Sequence, residues 1–156
     1  MKMTFVTVGS VRRPYIKTGL EQYLKRIGRY VDVALVEVRE ESSSVKMPKE
    51  DVLKKEGASI IKKLNASDFN IALSDSGRQM DSHQFSAFIE SIISGGKKGV
   101  SFIIGGAYGL HPPVCSAADA VVSLSKMTLP HELAFLVLAE QVYRAFTIIR
   151  NEPYSH

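Results

Sequence analysis

A chain of 156 residues, 45% hydrophobic and 23% charged, has the size and balance of one ordinary globular domain, expected to span 1–156. The first residues form too short an apolar run for a signal peptide, and the run after His131 is broken by Glu140, Gln141 and Arg144, so a membrane span is not expected. The 20 Lys and Arg against 16 Asp and Glu give a pI near 9.2, which permits a nucleic-acid partner without requiring one, and the single Cys115 excludes an internal disulfide and fits a reducing compartment.

In chain order, residues 4–8 read as a first strand closed by Gly9-Ser10. A first helix follows over about 14–28, with Ile16, Leu20, Tyr23, Leu24 and Ile27 on one face. Arg12, Arg13, Lys17, Lys25, Arg26 and Arg29 cluster in or beside it, which shifts the balance toward RNA or DNA. The second strand is 33–38, and the serine-rich stretch 39–48 reads as a mobile surface loop. Pro48 opens a second helix to residue 64, turning Val52, Leu53, Ile60, Ile61 and Leu64 inward. Strand three, 69–73, is expected to stop at Ser74-Asp75-Ser76-Gly77-Arg78. Ser82 is the expected N-cap of a third helix to residue 94, with Phe85, Phe88, Ile89, Ile92 and Ile93 buried. Strand four, 100–104, runs straight into Gly105-Gly106-Ala107-Tyr108-Gly109-Leu110. A short helix from residue 112 or 113 to 118 leads to strand five at 120–124, and the last helix spans 132–150.

Strands and helices alternate throughout, which predicts an α/β three-layer sandwich with a mainly parallel sheet. Periodicity alone predicts it unknotted. The last helix is apolar nearly all round, with a narrow polar stripe of Glu140, Arg144 and Thr147. Such a helix needs cover on most sides, and a second copy of the chain is an economical source.

Ligands of open parallel sheets bind beyond the carboxyl ends of the strands. Three loops stand there: 73–77, 105–110 and 124–129. Met127 and Leu129 alternate with polar residues in the third, as in a pocket wall for a flat, partly apolar ligand, although folding back onto the core would explain them equally well. Gly105-Gly106 permits close backbone approach and Gly109 a positive backbone angle, but a tight strand exit uses glycines in the same way. No GxGxxG follows the first strand, no GxxxxGK[ST] exists, and the four histidines lack metal-ligand spacing.

Taken together, the strand-four exit from Ile104 to Leu110, the block Leu124-Ser125-Lys126-Met127-Thr128-Leu129-Pro130-His131, and Glu140-Gln141-Val142-Tyr143-Arg144-Ala145-Phe146 resemble the RlmH family of ribosomal RNA methyltransferases, within the SPOUT superfamily. The likeness covers essentially the whole chain, to Asn151-Glu152-Pro153-Tyr154. It implies a SPOUT-like fold with a C-terminal deep trefoil knot, and S-adenosylmethionine held by Leu73, Gly105, Gly109, Leu124, Ser125, Lys126, Met127, Thr128 and Leu129. It also implies a cytoplasmic homodimer that methylates N3 of a pseudouridine in large-subunit (23S) ribosomal RNA, within an assembled ribosome and without a metal. Arg144, Tyr154 and His131 become the candidate catalytic residues. Arg144 either favours the N3 anion or holds phosphate, or else pairs with Glu140 four residues earlier. Tyr154 either stacks on a base or belongs to a frayed tail. His131 either moves a proton or caps the last helix. The family tail is expected to place a histidine directly after the tyrosine. Here Ser155 stands between Tyr154 and His156, so no role passes to His156. A non-catalytic RNA-binding protein and a methyltransferase for transfer RNA are the competing readings.

Overall fold

In the computed structural model, which describes residues 1–154, five strands form one sheet in the order β2-β1-β4-β3-β5, and every pairing is parallel. The elements follow the expected alternation: β1 (Lys2–Val8), α1 (Pro14–Ile27), β2 (Asp32–Val38), α2 (Lys49–Ile61), β3 (Asp68–Gln79), α3 (Ser82–Ser94), β4 (Gly99–Ile104), α4 (Pro112–Ala117), β5 (Ala120–Ser123) and α5 (His131–Ile149).

Side chains alternate across the central strands and divide the core into two layers. Met3 and Phe5 of β1, with Val100, Phe102 and Ile104 of β4, meet Phe85 and Ile89 of α3 and Phe135, Leu138 and Val142 of α5. Val6 and Val8, with Ile103, face Ile60 of α2 and Val114 of α4 instead. This is the three-layer sandwich, with α1, α3 and α5 on one side and α2 and α4 on the other. Phe5 lies opposite Phe102 in the strand register and stacks on it at 5.6 Å, while Phe135 approaches Phe5 at 5.3 Å. Each such buried ring contributes on the order of 1.5–3 kcal/mol relative to exposure.

Two local expectations need correction. Strand three does not stop at Leu73: it continues to Gln79 through a bulge, with Leu73 and Arg78 both opposite Val122. The polar Ser74–Asp75–Ser76 segment is the extra chain of that bulge, and Gly77 lets it lie flat on the neighbour, since a Cβ there would sit 2.6 Å from the Val122 carbonyl carbon. The N-cap of α3 is Asp81, not Ser82. Its carboxylate accepts from Gln84 N–H at 2.7 Å while the Gln84 side chain accepts from Asp81 N–H at 3.0 Å, a reciprocal box that leaves the Ser82 hydroxyl to reach Gln141.

α5 packs against both α1 and α3, and each of its residues is buried or half-buried. One chain therefore covers more of this helix than its composition suggests. Thr147, expected on the polar stripe, is fully buried, and its hydroxyl donates to the Arg144 carbonyl at 2.7 Å. Leu133, Leu136, Val137, Tyr143 and Ile148 remain only half-covered. The loop 39–48 lies on the surface and is tied down at Glu41, whose N–H donates to Glu56, and at Ser43, whose hydroxyl meets that of Tyr108.

Gly77→Ala should destabilise the fold by about 1–3 kcal/mol, because the clash is with strand backbone and cannot be relieved by a rotamer change. Urea unfolding of the two proteins at equal m-value measures this, and a change under about 0.5 kcal/mol would mean the bulge tolerates a side chain.

Candidate active site

The bulge of β3 and the carboxyl ends of β4 and β5 open into a cleft of about 880 Å³, lined from all three expected stretches. Leu73, Ser74 and Asp75 form one wall, the 105–110 turn the floor, and Leu124, Ser125, Met127, Thr128 and Leu129 the opposite wall. Of the nine residues expected around a cofactor, eight line this cleft, and Lys126 points its exposed side chain elsewhere. Arg13 and Lys49 also reach its rim.

Local chemistry shapes each wall. Gly106 and Gly109 bridge across a tight turn, with Gly109 N–H donating to the Gly106 carbonyl at 3.1 Å and Gly109 at φ +79°. Gly105 packs so closely on this turn that a Cβ would lie 2.6 Å from the Gly109 carbonyl. The tight exit and the close approach are thus one feature. Across the cleft, the Ser125 hydroxyl accepts from Met127 N–H at 2.9 Å, and the Ser123 hydroxyl donates to the Ser125 carbonyl at 3.0 Å. These bonds hold the loop away from the core: Met127 is 79% exposed, so it is wall rather than core. Tyr108 is braced by the Ser43 hydroxyl at 2.6 Å and by Lys49, whose ammonium lies 5.1 Å from the ring centre.

The sequence-predicted catalytic residues separate into two places. His131, the first residue of α5, lines the cleft and is half-buried, while Pro130 occupies the N-cap position. Arg144 lies far down the same helix, and Tyr154, beyond its end at Ile149, packs beside Arg144. Ala134 is the last α5 residue in the cleft, and the ten residues from it to Arg144 span about 15 Å at roughly 1.5 Å each. His156 falls outside the described residues.

At that distal end a polar network closes on itself. Arg144 donates to one oxygen of Glu140 through Nε at 3.0 Å and Nη2 at 2.6 Å, and the Tyr154 hydroxyl donates to the same oxygen at 3.2 Å. Gln141 donates to the other at 2.6 Å. The Tyr154 ring lies over the Arg144 guanidinium at 4.8 Å and edge-on to Tyr143 at 4.7 Å, so this tyrosine is docked rather than frayed. Bonding to Glu140 strengthens the hold of Arg144 on its proton. Burial, the Tyr23 hydroxyl at 3.5 Å and the Glu140 charge push Tyr154 well above the usual phenol range. Here the phenol is a donor, not a base.

No local sequence pattern singles out Glu132. A glutamate in the first turn of a helix ordinarily answers the dipole of its own helix. This one is 7% exposed and serves another: its two oxygens accept the backbone N–H groups of Arg12 at 2.9 Å and Arg13 at 3.2 Å, at the start of α1. Burial opposes its charge, but those two donors, with His131 and Arg13 nearby, outweigh burial and hold its carboxyl below the usual range.

Comparison with known proteins bears on this geometry. The family described as "Predicted SPOUT methyltransferase" matches residues 1–156. The chain is 43% identical over 157 aligned residues to ribosomal RNA large subunit methyltransferase H of Lysinibacillus sphaericus (strain C3-41), with 99% of each chain covered. It is 42% identical, at the same coverage, to the protein of that name from Carboxydothermus hydrogenoformans. The solved structure of a probable methylase family protein from Haemophilus influenzae Rd KW20 superposes with a TM-score of 0.56 over 99% of this chain and 70% of its own. At 12% identity that likeness speaks for the fold alone.

Glu132→Gln should cost about 1.5–3 kcal/mol at neutral pH, the value of hydrogen bonds to a charged group. The wild-type carboxyl is depressed in the folded state from its ordinary value of 4.5, so its contribution is present above that pH and fades as pH falls through the folded value. The stability gap between the two proteins should therefore narrow on acidification below about pH 4.5. A gap that stays constant from pH 7 to pH 3 would show that the carboxylate charge contributes nothing.

Proposed function

Since the chain belongs to the SPOUT methyltransferases, within the family of the large-subunit ribosomal RNA methyltransferases H, we propose that it transfers a methyl group from S-adenosylmethionine to N3 of a pseudouridine in 23S ribosomal RNA. The observation that carries the cofactor assignment is the cleft: its volume suits a small-molecule site, apolar side chains and loop backbone share its lining, and Gly105 lets the 105–110 turn close tightly at its edge, where a Cβ would strike the Gly109 backbone. Leu73, Met127 and Leu129 supply apolar contact, and the 105–110 and 124–129 backbones supply donors and acceptors. Bound there, the cofactor supplies an electrophilic methyl group on a sulfonium.

The chain's own part is alignment, exclusion of water and care of one proton. The imide N3–H must lose its proton, and a cation beside the ring favours the resulting anion. Arg144 is the candidate for that cation, Tyr154 for a donor or stacking face, and His131, at the cleft itself, for a proton carrier. Arg144, with Tyr154 packed on it, stands about 15 Å along α5 from the cleft of its own chain, at roughly 1.5 Å per residue over ten residues. A homodimer built on the half-covered face of α5 would bring them to the partner's cleft, joining two halves of a site. The deep trefoil knot, the cytoplasm as place of action and the assembled ribosome as substrate belong to the same reading.

Calorimetric titration with S-adenosylmethionine should give saturable binding, and labelled cofactor should mark large-subunit ribosomal RNA rather than transfer RNA. Gly105→Val should abolish binding, since the side chain strikes the Gly109 backbone and forces the 105–110 turn open. It should also lower stability, as expected for Gly77→Ala, while far-UV circular dichroism at low temperature still shows the native helices. No heat at millimolar cofactor would leave a non-catalytic RNA-binding protein; label on transfer RNA alone would reassign the substrate.

Co-refolding Gly105→Val with Tyr154→Ala should restore activity that neither has alone. Each heterodimer would then own one intact shared site, giving up to about half the wild-type rate by simple counting. Heterodimers verified by native mass spectrometry yet inactive would refute the shared site.

A further inference from the structure

No cofactor or catalytic role in this scheme uses Arg13, yet it lines the cleft rim, is exposed, and forms no ion pair among the described residues. Its neighbour Arg12 is engaged, with Nη2 on a Glu40 oxygen at 2.7 Å. Two residues on, Tyr15 is 68% exposed, a large ring that folding leaves in water. Single exposed apolar side chains are common and carry no argument. An unpaired guanidinium on the rim of a nucleotide-sized cleft, with an open aromatic ring two residues along the chain, is a different matter. Single-stranded RNA is held by that pairing, phosphate on the cation and base on the ring.

The backbone under Arg13 is also fixed in a way an ordinary surface loop is not. Both oxygens of buried Glu132 grip the consecutive N–H groups of Arg12 and Arg13, at 2.9 and 3.2 Å. Pro14 then sets the next backbone angle and opens α1. Glu132 lies in the first turn of α5, directly after the loop that forms the cleft wall. One element thus carries the wall and anchors the rim, so their separation is held constant. Preorganisation of this kind removes the ordering cost from binding.

On the premise that the chain is an RNA methyltransferase, we infer that Arg13 contacts an RNA phosphate at the mouth of the cofactor cleft, with Tyr15, two residues on, offering a stacking face to the same strand and Glu132 as the positioning residue that fixes the Arg13 backbone relative to the cleft. Arg12, tied to Glu40, has the lesser share.

The test is fluorescence anisotropy of full-length protein with a large-subunit ribosomal RNA transcript over a range of salt, beside calorimetry with S-adenosylmethionine. Arg13→Ala should weaken RNA binding about five- to tenfold and make the slope of log affinity against log salt shallower by about 1, with cofactor affinity within about twofold of wild type. Tyr15→Ala should weaken RNA binding without changing that slope. Arg12→Ala should change the slope less than Arg13→Ala. Glu132→Gln should lower RNA affinity, and add nothing further once Arg13 is already alanine, because it acts through that residue. Should Glu132→Gln fail to fold, Glu132→Asp keeps the charge, shortens its reach and carries the same comparison. An unchanged salt slope in Arg13→Ala, equal effects of Arg12→Ala and Arg13→Ala, or a loss of cofactor rather than RNA affinity would each overturn the assignment. Wild-type protein that transfers no methyl group would sink the enzymatic reading instead, and Arg13 would still stand or fall on the salt slope.

Discussion

All five strands run in the same direction, and this constraint governs where anything can bind. Parallel neighbours cannot be joined by tight turns, so each connection crosses a face and carries a helix. Both faces are thereby covered, and β4, at the centre, is buried along its whole length. The carboxyl edge is left to loops. Their backbone groups are not used by the ladder, so they are free to meet a ligand. The cleft is what remains where the bulge of β3 and the loops after β4 and β5 share that edge.

The longest helix links this edge to a second polar centre. α5 starts in the cleft wall and runs 19 residues along the α1 and α3 face. A helix of that length is a stiff spacer, so the Glu140–Arg144–Tyr154 network cannot fold back to the cleft of its own chain. Within the chain the network is electrically complete: the Glu140 carboxylate is met by a guanidinium, an amide and a phenol. Using Arg144 on a substrate anion means drawing it from an existing partner. That exchange is easiest where the incoming group brings its own negative charge, as an ionised imide or a phosphate does.

Two buried or half-buried glutamates on one helix are thus stabilised by different means. Glu140 is bonded to a cation, and Glu132 is held charged chiefly by the backbone N–H groups that precede α1. The second arrangement leaves the neighbouring guanidinium of Arg13 uncommitted. It spends a carboxylate on main chain and keeps a cation for the surface.

The alternation of apolar strands and amphipathic helices was legible in the sequence, because each element's periodicity is local: residues two apart share a strand face, and residues three or four apart share a helix face. The glycine and Leu124–His131 motifs also marked the cleft, since close approach and a helix-opening proline demand particular residues. The continuation of β3 past Leu73 was not legible, because Ser74-Asp75-Ser76-Gly77 has turn chemistry and only the adjacent Val122 backbone makes it a bulge. Nor was Asp81, which competes with Ser82 for the same cap and wins through its reciprocal bond with Gln84. Glu132 is the clearest case of what the sequence could not settle. Its partners lie 120 and 119 residues away, and no local pattern records that a carboxylate on the last helix will meet the N–H groups that open the first. Sequence fixes which groups need partners; packing α5 against α1 decides which partner each one finds.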